Sequence, residues 1–548
     1  MAGYDLSIFK GLPADMVLIN GKIITMNESN NVVEAVAIKD GRIVATGETG
    51  EILKLASHET EIINLEGKTV LPGFIDTHMH PSLAATRYYE VDCRSPPVRS
   101  IEEILRMVSE RAKETPPGEW IRGTNYNENK LEEKRHITRW ELDGVAPNNP
   151  VFISKETGHL YIANSMALKI GGIFDDTPDP FGGKIDRDVE GRATGLLYET
   201  AGQLVSKHIP EYSVDQIKEG LRKVWRQFSE WGITTVHDAS GYAAAVKAYQ
   251  ELLDEGIRQV RTLLMMSLHP QGSEDIDILE SMISIGIRSG FGDDWLKIMS
   301  LKIMGDGSGS GGSAAVYAPQ HRGTRGLGLM TTDPERIKEL TLKAHRAGIR
   351  VSIHSIGDRG IDLALDAIEE AQSKYPKPDM RHRIEHNSLC TPKQIERIKS
   401  LGAAPSSSIG YMWGLGDDYY ENFGPERSRW LHPHKTLKEK GIIAGGNSDY
   451  PVSDGNPMIQ IYEAVTRKTR TGLRVGGEEA ISVIDAIKLY TWNGAYLGKE
   501  EDVKGSIEEG KLADLVVLEK DILAVPHEKI KDIRVDMTIV NGKIVFRR

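Results

Sequence analysis

Cysteine and long apolar runs are both scarce in this chain of 548 residues. Cys93 and Cys390 are its only cysteines, so no disulfide framework, CxxC redox motif or all-thiolate zinc site can be built. Both read as buried, inert thiols. No stretch of about 18 uncharged apolar residues occurs, which excludes a membrane-spanning helix. Residues 1–10 lack a basic segment leading into an apolar run, so they do not read as a secretory signal, and a cytoplasmic location is expected. Basic charge is also in deficit. With 68 Lys and Arg against 79 Asp and Glu, the net charge of −11 argues against nucleic acid or an anionic membrane as principal partner.

What is present is an apolar fraction of 39%, enough for a sizeable core. Short strands crowd both ends. Residues 16–24 (MVLINGKII) read as a hairpin turning at Asn20-Gly21, and 36–45 (VAIKDGRIVA) as one turning at Asp40-Gly41. Residues 513–518 read as a strand and 537–546 (MTIVNGKIVF) as a further hairpin, with INGKII near the start resembling VNGKIV near the end. A β-sandwich built from both termini, residues 1–71 and 500–548, is expected. The middle, 72–499, alternates strand and helix patterns. Strand candidates are 151–154, 234–237, 350–354 and 442–444; helix candidates are 217–232, 334–348, 362–371 and 392–402. This is an α/β pattern that predicts a parallel, TIM-like (β/α)8 barrel, with insertions at about 82–150 and 155–230 near its mouth. The run Glu132-Glu133-Lys134-Arg135 reads as a solvated helix face.

The sharpest local signal is Pro72-Gly73-Phe74-Ile75-Asp76-Thr77-His78-Met79-His80-Pro81. Residues i and i+2 of a strand share a face, so His78 and His80 can ligate one metal ion. His354 ends the apolar strand VSIH, and His386 ends RIEH. Active sites of such barrels gather at these C-terminal strand ends. Asp449, in GGNSDYPV after the strand at 442–444, is placed to touch a metal and to take a proton from water. Lys297 and Lys302 lie five apart on one strand and face opposite sides, so one alone points inward. Lys302 directly precedes a Gly-rich turn and is the one chosen. A buried lysine among histidines is costly unless modified, and its carbamate would be an anionic bridge between two metals.

These motifs, together with GHLYIANSMAL, DPFGGKIDRDVEGRATGLLYE, KIMGDGS, HSIGDRGID, RIEHNS and the closing GSIEEGKLADLVVLEKD, resemble the YtcJ-like branch of the amidohydrolase superfamily, which includes N-substituted formamide deformylase. The resemblance implies a barrel paired with a β-sandwich made from both termini. It implies two divalent metal ions, taken as zinc: His78 and His80 hold the first, His354 and His386 the second, carboxylated Lys302 bridges them, and Asp449 is ligand and base. A small-molecule amide, formamide or cyclic imide is the implied substrate. One segment departs from the branch. Where a larger residue and Arg-Thr are usual before Ala, this chain has Gly309-Ser310-Gly311-Gly312-Ser313-Ala314-Ala315. A mononuclear deaminase is an alternative, although no Glu follows His354 closely. A catalytically inactive scaffold on the same fold is another. His159 is expected at the mouth, bonding the substrate carbonyl. Tyr411, Trp413, Tyr419, Tyr420 and Phe423 are read as a loop lining an apolar pocket, with Trp413 on the substrate. A homodimer is expected.

Overall fold

The structure, a computed structural model, describes residues 9, 11–267, 277–321 and 326–548, so most of the 1–10 segment read for a leader lies outside the described residues. Eight strands form the barrel of the nine-stranded central sheet: β1 (Phe74–Met79), β2 (Ile233–Gly241), β3 (Arg261–Ser267), β4 (Leu296–Met304), β5 (Val351–Ser355), β6 (Arg383–His386), β7 (Ala404–Ser407) and β8 (Gly445–Gly446); the ninth, Phe291–Gly292, pairs antiparallel with β4 off the barrel path. Sequential strands are spatial neighbours throughout, every pair parallel. The sheet curls until β8 meets β1: the Thr77 hydroxyl donates to the Gly446 carbonyl at 3.0 Å and the Asp449 amide to the His78 carbonyl at 2.9 Å. The result is a nearly closed parallel barrel. Its last strand falls on Gly445–Gly446 rather than on 442–444, and the closure is tight there. A Cβ on Gly445 would meet Thr77 Cγ2 at 2.8 Å, and one on Gly446 the Tyr490 ring at 2.7 Å.

The outer helices follow from apolar spacing and caps. α1 (Val214–Glu230) begins with a Ser213–Gln216 capping box and buries Leu221, Val224, Trp225 and Phe228. α2 (Pro334–Ala347) is capped by Asp333 and stops at Gly348, whose φ of 81° suits a left-handed terminus. α3 (Asp358–Lys374) and α4 (Pro392–Leu401) cover β5 and β6.

Both termini contribute to one six-stranded sheet, in which Leu515–Leu518 pairs with Thr69–Pro72 and Val535–Val540. A four-stranded sheet built around Met16–Ile19 and Ala35–Lys39 faces it. Asp40-Gly41 and Asn541-Gly542 are two-residue turns with positive φ at both positions, as hairpins of this length require. Asn20-Gly21 is not a hairpin. Met16–Ile19 belongs to the four-stranded sheet and Lys22–Ile24 to the six-stranded one. The first strand is buried along its whole length, so the chain steps across the core instead of folding back.

A third sheet lies outside the barrel, with strands Val91–Asp92, Ile121–Tyr126, Val151–Lys155, Leu160–Ala163, Gly183–Arg187 and Ala193–Glu199. The strand at 151 therefore belongs here and not in the barrel; it pairs with Ile121–Tyr126 and Leu160–Ala163. Residues 132–135 are exposed, as expected, but in a turn rather than a helix. The aromatic segment read as a loop is helical, α5 (Tyr411–Ser428), kinked at Gly424. Among the described residues no helix is long and apolar enough to cross a membrane, and both cysteines are buried and free.

Candidate active site

The barrel delivers its ligand-type side chains from the C-terminal ends of β1, β4, β5 and β6 and from the loop after β8. Strand register sets their mutual height: Met304 opposes His354, and Ser355 opposes His386. The backbone is strained where they converge. His386, Asn387 and Asp449 have φ of 67°, 43° and 55°, left-handed values uncommon outside glycine.

His78 is fully buried, and its Nδ1 lies 2.5 Å from Glu385 Oε2. Glu385 is itself gripped by the Arg383 guanidinium through bonds of 2.7 and 2.9 Å. His80 Nδ1 meets Ser240 Oγ at 2.6 Å, and His386 Nδ1 meets Ser408 Oγ at 2.8 Å. In each imidazole one nitrogen is tied to an outer partner, which leaves Nε2 for a common centre. At that centre Asp449 Oδ1 lies 2.9 Å from His80 Nε2 and 3.5 Å from His78 Nε2. Lys302 Nζ lies 3.2 Å from His78 Nε2. Lys297 reaches the other way, to Glu500 at 2.6 Å. His354 joins through its ring, 4.4 Å between centroids from His386. His78, His386 and Asp449 each offer a ligand atom within 4.8 Å of the others.

Electrostatics favour a cation. Burial, then the Lys302 charge, pulls His78 down to about 4 despite Glu385 and Asp449. Burial likewise holds His354 and His386 well below the ordinary imidazole value. Burial lowers Lys302 to about 8 against the pull of Glu385 and Asp449. Burial alone would raise Asp449, yet the charge of and hydrogen bond from His80 hold it well below the usual carboxylate range. Imidazoles that burial keeps neutral at His78, His354 and His386, beside His80 and an ionised carboxylate, are the donor set that divalent transition metals take. The residues fit such ions.

Two connecting carboxylates complete the frame. Asp76 accepts from the His78 amide at 3.0 Å and from the Ser448 hydroxyl at 2.7 Å, which locks the β1 end to the Asp449 loop. Asp306 accepts from the amides of Ala315, Ile356 and Gly357, and burial raises it to about 7 against those bonds. Tyr411, from the start of α5, donates to Asp449 Oδ2 at 2.5 Å.

His159 lies at the rim, its ring 5.1 Å from that of His354 and its Nδ1 2.6 Å from Glu199 Oε2. Trp413 is not brought to the cluster: its ring packs edge-on against Tyr462 at 5.7 Å. The Gly/Ser segment is buried and tightly fitted; a Cβ on Gly309 would meet the Tyr419 ring at 2.4 Å. Sequence reasoning missed Glu385, Arg383, Asp76, Ser240, Ser408 and Glu199. The first three carried a signal, since Glu385 and Arg383 sit in RIEH and Asp76 stands two residues before His78.

The chain matches the amidohydrolase family over residues 61–546. It is 31% identical to the N-substituted formamide deformylase of Arthrobacter pascens, over 97% of this chain and 98% of that protein. It is 31% identical to the Bacillus subtilis protein YtcJ, over 96% and 98%. A metal-dependent hydrolase of Pyrococcus horikoshii, described as uncharacterized, superimposes with a TM-score of 0.74 at 26% identity, covering 94% of this chain and 99% of its own. With a buried His/Asp group at the mouth of a parallel barrel, the chain belongs to the amidohydrolase family and is a hydrolase of carbon–nitrogen bonds.

Proposed function

We propose that His78, His80, His354, His386 and Asp449 hold two divalent ions, zinc in the first instance, bridged by a carboxylated Lys302, and that the enzyme hydrolyses linear amides of the N-substituted formamide type. The observation that carries this is the set of imidazoles with one nitrogen tied outward and the other turned to a shared centre beside a buried lysine. The similarity to a formamide deformylase supports the substrate class. The Lys302 amine adds to CO2, forming an N–C bond and releasing a proton; the resulting anion suits a position among groups that attract cations. Bound there, such ions polarise a carbonyl and acidify water. Asp449 accepts a proton and returns it to the leaving nitrogen. Tyr411 fixes the Asp449 carboxylate from behind. His159, at the rim, donates a hydrogen bond to the substrate carbonyl. The buried walls around Asp449 exclude bulk water, which strengthens each of these contacts. We place the enzyme in the cytoplasm as a homodimer.

The test uses 4-nitroformanilide, whose cleavage releases a coloured amine, with 4-nitroacetanilide beside it. Turnover of the formamide by wild type, with metal and turnover lost together in His78→Ala, is the expected result. Full activity in His78→Ala would refute the reading.

A further inference from the structure

Glu199 stands outside the ion-binding set, and its burial, backbone and bonding single it out. It is 3% exposed, and its φ of 51° with ψ of −125° is a backbone state that glycine ordinarily takes. Its amide donates to the His159 carbonyl at 2.8 Å, so strand pairing already places the two residues side by side. Its Oε2 accepts from His159 Nδ1 at 2.6 Å. Its Oε1 accepts from the Ser308 amide at 3.3 Å and from the Ser313 hydroxyl. The loop reaches the carboxylate only because residue 307 is glycine; a Cβ there would lie 2.5 Å from Glu199 Oε1.

We infer that Glu199 is a positioning residue for the reaction: its carboxylate fixes the ring of His159 by accepting from Nδ1–H, so that the ring stays protonated on both nitrogens and presents Nε2–H, a donor, at the mouth beside His354. The inference rests on the reading of His159 as the contact to the substrate carbonyl. The Gly/Ser segment acquires a role through it. Ser308 and Ser313 saturate one carboxylate oxygen, so the other has a single partner, the imidazole. A side chain that donates at Oε2 instead of accepting would leave Nδ1 unprotonated and the ring neutral, a weaker donor to the substrate carbonyl. Glu199→Gln makes that change: with its carboxamide oxygen on the two loop donors, its NH2 faces Nδ1, which gives up its proton, and the ring is left neutral with Nε2–H alone.

The experiment reads the ring directly. Nitrogen spectra of 15N-histidine-labelled, metal-loaded protein are recorded, with the His159 signals identified by their loss in His159→Gln. Wild type is expected to show a protonated Nδ1 and Glu199→Gln an unprotonated one. Unchanged His159 signals in Glu199→Gln would overturn the inference. Kinetics on 4-nitroformanilide form the second arm: kcat should fall about 30-fold or more, with KM changed less than about threefold and metal content equal to wild type. Unchanged kcat, or loss of metal, would also overturn it. Ser313→Ala, which leaves Glu199 in place, is expected to give a smaller kcat loss of about threefold, and an unchanged kcat there would count against the loop's part. A wild type that cleaves no formamide would refute the substrate reading alone, because the nitrogen spectra decide the role of Glu199 without turnover.

Discussion

The two ends of the barrel bury charge in opposite ways. At the N-terminal ends of β3 and β4 charges are matched. Arg261 bonds Asp514 through 2.7 and 3.0 Å contacts, and Glu500 receives both Lys297 at 2.6 Å and Lys504 at 2.7 Å. At the C-terminal ends histidines and Lys302 share Asp449, and Lys302 faces a nitrogen, His78 Nε2, instead of an acid. Matched burial is scaffolding, because each partner offsets the desolvation of the other. Convergence without matching makes a donor set that suits a cation. The same physics thus separates two kinds of buried charge on the same strand, β4, where Lys297 belongs to the matched kind and Lys302, on the proposed function, to the ion site.

That contrast can be broken experimentally. The largest effect is expected at the top: His78→Ala should lower turnover at least about 10³-fold, equivalent to ~4 kcal/mol, and remove metal with it. Metal analysis beside initial rates checks this. At the bottom, Asp514→Ala leaves the buried Arg261 unpaired and should cost about 3–5 kcal/mol of stability in a denaturant titration, with turnover per folded molecule unchanged. A fall in specific activity with stability intact would erase the distinction between the two ends.

Acid sharpens the comparison. In metal-stripped protein His78 titrates near 4, against 6.5 for a free imidazole. Between those values the unfolded chain carries the extra proton, so its contribution is complete above pH 6.5 and is lost as pH falls toward 4, by on the order of 3 kcal/mol. Asp514 lies on the other side of the ledger. Although burial raises it, Arg261 holds its folded value below 3.8, so its contribution persists above 3.8 and is lost only as pH falls through that depressed value. Urea midpoints between pH 7 and 4 should therefore decline in the stripped enzyme and much less in the metal-loaded one. A smaller effect is expected from Tyr411→Phe, which removes one bond to Asp449 and should cost about 1 kcal/mol, about fivefold in kcat, with metal retained.

The functional end was more legible in sequence than the scaffold around it. Histidines at the junction of an apolar strand and a Gly- or Pro-containing loop announce themselves locally, so His78, His80, His354 and His386 needed no knowledge of distant contacts. Their outer partners did. Ser240 and Glu385 meet His80 and His78 across 160 and 307 residues of chain, and no local pattern encodes such a pairing. Strand 151 looked like any barrel strand, because periodicity reports burial and not which sheet provides it. Asn20-Gly21 carried hairpin chemistry, yet Met16–Ile19 is buried on both faces, against the six-stranded sheet on one and Ile52 on the other, and the chain crosses to the second sheet instead. α5 was hidden by its own composition, with glycines at 414, 416 and 424 and paired acids masking the helical period.

The central claim is that the unmatched end of the barrel is an ion site bridged by Lys302. Metal content per chain, on protein purified without chelator and with bicarbonate present, tests it most directly when wild type is set beside Lys302→Ala. The account predicts about two ions per chain in wild type and a clear loss in the variant. About one ion in both would contradict it and leave Lys302 with a structural or substrate-pairing role.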